Sequence, residues 1–342
     1  MRAAIFHEPG RPLSIETIAD PRPAADQILI DVAHTGICGS DLHITQYGLI
    51  PNGTVLGHEF AGTIAEIGGA VGGSWKIGDR VTALPLEGCN HCEACDEGLP
   101  ALCSAAVFTG TALAKPGAYA QYVVAKGAMV QRLPQGVTFA DGAMVEPLAV
   151  AHHAVERAQI AVGAPVLVIG AGPIGAGVAL FARHAGARHV IVSERAPERR
   201  RRVLELGATA VIDPTTETVA ERFAAIAGSA PQIVFECVGN AGVIQHALEL
   251  TGRRGRVVVA GVCFSEDKFM PVAALMKEIS IVFSQCYTER NFAAVIDAIA
   301  RGAVNPRPMH TRTVGFEALP KAFEDLRSAP DQCKVLIDPD MK

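Results

Sequence analysis

Between residues 165 and 283, continuous apolar strands alternate with amphipathic helical stretches, and this restricts the fold more than any other feature of the chain. Strands are expected at residues 165–169, 189–193, 210–212, 232–237, 256–260 and 279–283, with helices at 174–185, 197–206, 218–227 and 243–250. A strand that is apolar along its whole length, rather than at every second residue, is buried on both faces. Six such strands joined by helices describe a doubly wound parallel sheet of the α/β class.

The first of these strands runs into Gly170-Ala171-Gly172-Pro173-Ile174-Gly175 and then into a helix. The glycines allow a tight turn, close approach of a pyrophosphate, and close packing of the helix on the strand. The helix N-terminus then faces the phosphates with its partial positive charge. Glu194 ends the next strand, where its carboxylate would accept hydrogen bonds from the adenosine ribose. The same carboxylate would repel a 2′-phosphate. NAD is therefore expected rather than NADP, although Arg195, Arg199 and Arg200 lie close by.

Up to about residue 150 the chain has a different texture, rich in Gly, Pro and short β-like runs at 27–33, 62–67 and 119–124. This reads as a compact, mostly β domain. Within it Cys89, Cys92, Cys95 and Cys103 bring four thiols into one short segment. Four soft ligands suit a closed tetrahedral zinc, which leaves no open position and so pins a loop. His91 is then surplus and expected to be exposed. Cys237, Cys263 and Cys333 lie in or beside apolar runs and are expected as core thiols. A second set is Cys38 with His58, one sulfur and one nitrogen, to which Glu59 or Glu146 could add an oxygen. A catalytic zinc needs about three protein ligands and one open position.

Gly36 to His43, the Gly57-His58-Glu59 run with Gly62, Gly68 and Val71, the four-cysteine segment and the Gly170–Gly175 turn together resemble the zinc-containing branch of the medium-chain dehydrogenase/reductase superfamily. Glu146-Pro147-Leu148 and Val192-Ser193-Glu194 are most similar to the polyol, 2,3-butanediol and threonine dehydrogenases of that branch. The resemblance spans essentially the whole chain. It implies a GroES-like, mostly β catalytic domain at residues 1–150, completed by 286–342, and a Rossmann NAD-binding domain at 151–285.

The resemblance also implies roles. Cys38 and His58 would hold a catalytic zinc, with Glu59 and Glu146 as alternating or water-bridged third ligands. Asp41 would orient His58. Ser40 and His43 would relay the alcohol proton. Gly170, Gly172, Pro173, Ile174, Gly175, Glu194 and Arg199 would hold the dinucleotide. Ala260, Gly261 and Val262 would line the nicotinamide, with Cys286 and Tyr287 nearby. Zinc would be present twice per chain, at one catalytic and one structural site. The implied activity is reversible oxidation of a secondary alcohol or vicinal diol to the ketone. L-threonine 3-dehydrogenase and sorbitol-type activity are the alternatives. Two features depart from the sorbitol dehydrogenases: Ile44 stands where they carry a tyrosine, and Ser284-Gln285 stands near where they carry an Arg-Tyr pair. Both changes remove polar readout and point to a smaller or less polar alcohol.

A net charge of -5 gives no general pull toward nucleic acid or an anionic membrane. Arg199 to Arg202 is flanked by Glu198 and Glu205 and reads as a solvated helix face. No signal peptide or membrane span is expected, which places the chain in the cytoplasm. The expected partners are a small alcohol and further copies of the chain, a tetramer ahead of a dimer. A zinc-free reductase of activated double bonds, or a non-catalytic dinucleotide-binding protein, would not need both an open and a closed metal site.

Overall fold

All six expected strands form one parallel sheet. In the computed structural model, which describes residues 1–328 and 331–341, its order is Ala210–Ile212, His189–Ser193, Pro165–Ile169, Ile233–Glu236, Arg256–Val259, Ser280–Phe283. The chain moves outward from Pro165–Ile169 in one direction and then returns to build the other half. The chain therefore leaves the adjacent C-terminal ends of Pro165–Ile169 and Ile233–Glu236 in opposite directions along the sheet, which opens a crevice there. Leu167, Ile191, Val234 and Val257 pack with Phe223 and Leu248 of the covering helices. Helices Pro173–His184, Pro197–Leu204, Val219–Ala227 and Val243–Leu250 stand within a residue or two of their expected positions. A short helix, Pro271–Leu275, has no counterpart among the expected elements; it is too brief for a periodic pattern.

The chain divides into two compact units. One comprises Met1–Glu146, Thr288–Ala300 and His310–Lys342, the other Pro147–Tyr287 and Arg301–Met309. Residues 147–150, 286–287 and 301–309 thus cluster with the parallel-sheet unit, whereas the sequence places them with the first. Residues 301–309 carry no periodic signal and end in a single 3-10 turn, Arg307–Met309. Residues 329, 330 and 342, assigned to the first unit from sequence, lie outside the described residues.

The hub of the first unit is the long strand Gln27–Gly36, which pairs antiparallel with Glu59–Ile67, Tyr122–Lys126 and the C-terminal Lys334–Ile337. This last pairing returns the end of the chain to the first unit. Ile28, Ile30, Phe60, Ile64 and Val123 fill the core on one side of the hub. Phe6, Leu56, Tyr119, Phe316, Phe323 and Ile337 form a second core, which joins the N- and C-terminal segments.

Candidate functional site

Strand register builds the first site. Gly36 pairs with Glu59, and Leu336 pairs with Gly36. Cys38, just past the end of the hub strand, therefore lies beside His58 and Glu59, and Lys334 lies at the same end. Cys38 caps helix Gly39–Gln46, and its amide donates to Asp41 Oδ2 at 3.2 Å. Gly57 precedes His58 with φ +100°, a conformation that favours glycine. A side chain at Gly36 would meet Glu59 Oε2 at 2.0 Å, so the glycine leaves room for the carboxylate.

One donor atom from each of Cys38, His58 and Glu59 lies within 4.8 Å of the others. A tetrahedral zinc with bonds of 2.0–2.3 Å has ligands about 3.3–3.8 Å apart, a spacing that falls within this limit. A thiolate, an imidazole and a carboxylate leave the fourth position open, as zinc requires in catalysis. Glu146 is not in this converging set. It is buried at the start of helix Val145–Ala158, near enough for its charge to act on Lys334.

Three residues that carry no sequence signal support the site. Lys334 donates to Glu59 Oε1 at 2.7 Å, to Oε2 at 2.6 Å and to the Ile37 carbonyl at 3.0 Å. Burial pushes its pKa down, but Glu59, Cys38 and Glu146 more than offset this and hold the ammonium charged. Asp41 Oδ1 lies 3.4 Å from His58 Nδ1, and Tyr119 donates its hydroxyl to Asp41 Oδ2 at 2.6 Å. Burial raises the Asp41 carboxyl, and His58, Tyr119 and the Cys38 amide together hold it below the usual range. The third residue, Arg327, donates to the Leu42 carbonyl and to Thr45 Oγ1 across helix Gly39–Gln46. Ser40 lies in the first turn of that helix and His43 further along, exposed. Partial desolvation, then the Arg327 guanidinium, hold His43 below its ordinary 6.5, so its imidazole is neutral at neutral pH.

The sulfur atoms of Cys89, Cys92, Cys95 and Cys103 all lie within 4.8 Å of one another, a closed set that fits a structural zinc. Cys92 caps helix Glu93–Asp96, and the Cys89 amide points at Cys103 Sγ at 3.5 Å. This amide is the first cause of lowering the Cys103 thiol to about 6, which favours the metal-ready thiolate. His91 is exposed.

In the second unit Gly170 takes φ +93°, and Gly172 caps helix Pro173–His184 with Pro173 in its first turn. A side chain at Gly175 would meet the Gly170 carbonyl at 1.9 Å, so helix and strand approach as a pyrophosphate turn requires. Glu194 is buried; Oε2 accepts from the Ala171 amide at 2.7 Å and Oε1 from Ala196 at 2.8 Å. It thereby ties the glycine turn to the next strand end. Arg199 Nη1 lies 4.0 Å from the place of a side chain at Gly172. Arg200 departs from the expected solvated face: it is half-buried, donates to the Glu194 and Arg195 carbonyls and pairs with Asp213 at 2.9 Å.

Glu236, which no sequence motif marks, accepts from the Val238 and Gly239 amides through Oε1, while its carbonyl accepts from Ala260 and Gly261. These bonds hold Ala260 and Gly261 at the same sheet edge as Gly170; Val262 beyond them is exposed. Cys286 and Tyr287 follow the outermost strand, with φ +47° at Cys286 and Tyr287 buried. Cys333 is a core thiol as expected, whereas Cys263 is only half-buried beside Ser265. No helix among the described residues is long and apolar enough to cross a membrane.

Comparison with known proteins matches residues 24–135 to the alcohol dehydrogenase GroES-like domain and residues 173–301 to the zinc-binding dehydrogenase family. Human sorbitol dehydrogenase is 33% identical, with 94% of this chain and 92% of that protein covered. A candidate zinc-binding dehydrogenase from Sinorhizobium meliloti 1021, bound to NADP, superposes with a TM-score of 0.92 at 30% identity and covers 99% of both chains. A protein from E. coli CFT073 described as a short chain alcohol dehydrogenase, complexed with NADH, gives 0.90 at 29% identity, again with 99% of both chains covered.

Proposed function

Since this chain belongs to the zinc-containing medium-chain dehydrogenase/reductase superfamily of alcohol dehydrogenases, we propose that it oxidises a secondary alcohol or vicinal diol to the ketone, reversibly, with NAD. The observation that carries this reading is the convergence of Cys38, His58 and Glu59 on one point, with Asp41 behind His58.

Cys38 and His58 are the fixed ligands in this reading, and Glu59 and Glu146 share the third place. Bound there, zinc supplies Lewis acidity that lowers the pKa of a hydroxyl in its open position. Ser40 takes the released proton, and neutral His43 passes it to solvent. The dinucleotide supplies the hydride acceptor. Gly170, Gly172, Pro173, Ile174 and Gly175 receive its pyrophosphate, with Arg199 alongside. Glu194 receives the adenosine ribose, and Ala260, Gly261, Val262, Cys286 and Tyr287 face the nicotinamide.

NAD is favoured over NADP because Glu194 is an acid at the ribose position and Arg200 is already committed to Asp213 and two carbonyls. The sorbitol-type grip is absent at Ile44 and Ser284-Gln285, which favours a small diol or alcohol over a sugar alcohol. A second zinc belongs to the four-cysteine segment. A reducing, cytoplasmic setting goes with thiols kept for metal. A homo-oligomer, read as a tetramer ahead of a dimer from the family resemblance, is supported in its self-association by the outermost strand Ser280–Phe283. Its outer edge has no strand partner among the described residues, and Phe283 on it and Leu275 and Met276 just before it are exposed.

The test is a panel of secondary alcohols, vicinal diols, sorbitol and L-threonine with NAD+ and NADP+, following absorbance of the reduced cofactor. Turnover of a small diol with NAD+ ahead of sorbitol is the expected result. Exclusive use of L-threonine, of sorbitol or of NADP+ would replace the corresponding part of the reading.

A further inference from the structure

We propose that the Tyr119 hydroxyl is a positioning group for the metal centre, acting through Asp41 to fix which nitrogen of His58 faces the metal. This rests on reading Cys38, His58 and Glu59 as that centre. Asp41 is wholly buried, and a buried carboxylate needs its lone pairs satisfied. Oδ2 takes two donors, the Tyr119 hydroxyl at 2.6 Å and the Cys38 amide at 3.2 Å. Oδ1 is left facing His58 Nδ1 at 3.4 Å. With Oδ2 saturated, the carboxylate cannot turn to share it, and Oδ1 is the oxygen left to receive the Nδ1 proton. Nε2 then keeps the lone pair that a metal takes.

The placement of Tyr119 is specific. Its amide donates to the Leu56 carbonyl at 2.8 Å, and the Ala118 amide donates to Gly57, so its backbone is laced to the residues just before His58. Its ring fills the space beside Gly57, where a side chain would meet Cδ1 at 2.4 Å. It also packs edge-on to Phe323, with ring centroids 6.4 Å apart. A phenylalanine would fill the same volume, so packing accounts for the ring but not for the hydroxyl. What the hydroxyl bonds is the carboxylate behind His58.

The experiment is release of zinc from the purified, zinc-loaded protein to a chromophoric chelator, for wild type, Tyr119→Phe, Asp41→Asn and the double variant. Tyr119→Phe keeps the ring, so the fold and the slowly released cysteine-bound zinc should stay as in wild type, with the unfolding midpoint lowered only by the loss of one hydrogen bond. The other zinc should leave faster, toward the low end of the roughly 10- to 100-fold that outer-shell partners contribute. Asp41→Asn should speed release of the same zinc, and adding Tyr119→Phe to it should change nothing further. Unchanged release in Tyr119→Phe, or full additivity with Asp41→Asn, would overturn the proposal. If Tyr119→Phe fails to fold, Asp41→Asn carries the test alone, and unchanged release there would overturn the proposal equally. A wild-type chain that holds zinc only at the four cysteines would overturn the metal-centre reading itself, and this inference with it.

Discussion

Lys334 donates to both carboxylate oxygens of Glu59, at 2.7 and 2.6 Å, and neither side chain reaches solvent. Glu59 therefore has two claims on its charge, a lysine on one side and the Cys38–His58 donors on the other. Removing one partner of a buried pair leaves the other uncompensated, at a cost of about 3–5 kcal/mol. Lys334→Met should thus destabilise the zinc-stripped protein by roughly that amount, and the zinc-loaded protein by clearly less, because the metal replaces the lysine as counter-charge. Denaturant unfolding with and without zinc measures both. Equal losses in the two states would mean that Glu59 does not reach the metal.

Cys103→Ser should remove the zinc of the four-cysteine segment. Three remaining thiolates bind the metal less well, and the binding energy at such a site is folding energy. The expected outcome is one zinc fewer per chain and a lowered unfolding midpoint, while the remaining folded protein still turns over. Retention of stability together with full zinc content would contradict the assignment.

Glu194→Ala should weaken both dinucleotides, because the Ala171 and Ala196 amides lose their shared acceptor and the glycine turn loosens. NADP should be hurt less than NAD, since repulsion of a 2′-phosphate also disappears. A tenfold shift in the ratio of kcat/KM values, about 1.4 kcal/mol, is the expected scale. An unchanged ratio would remove Glu194 from cofactor choice.

His43 is held below 6.5 by partial desolvation and by Arg327, so it is the free base at neutral pH. Because the shift is downward, alcohol oxidation in the wild type should rise with pH through a value below 6.5 and then level off. His43→Gln should lower turnover at pH 7 by roughly a hundredfold, the low end for general acid–base catalysis, and by less at high pH, where hydroxide substitutes. Added imidazole should restore part of the rate. An equal loss at every pH, without rescue, would show that His43 serves binding rather than proton transfer.

The parallel sheet is readable in the sequence because strands buried on both faces are apolar throughout, as in Val166, Leu167, Val168 and Ile169. The four-cysteine set is readable because zinc limits the ligand types and their spacing, whereas Cys38 and His58, twenty residues apart, stand out only through the family resemblance. Helix Gly39–Gln46 is not, since its sequence has almost no apolar period, and a local bond from Cys38 to Asp41 starts it. Strand His310–Val314 escapes for a related reason: it is mostly polar and only its last residue is buried. Tyr119, Lys334, Arg327 and Glu236 escape because nothing local marks them. Lys334 meets Glu59 through strand register, 275 residues further along the chain, and Tyr119 meets Asp41 through loop bonds to Leu56 and Gly57. The buried ion pair and the hydroxyl bond are consequences of topology, which local patterns do not carry.

The most direct test of the central claim is zinc content per chain in wild type and in Cys38→Ser, measured together with alcohol-dependent reduction of NAD+. The account predicts two zinc ions in the wild type and one in the variant, with the fold and the four-cysteine zinc retained and turnover abolished. A Cys38→Ser protein that kept both zinc ions and its turnover would contradict it.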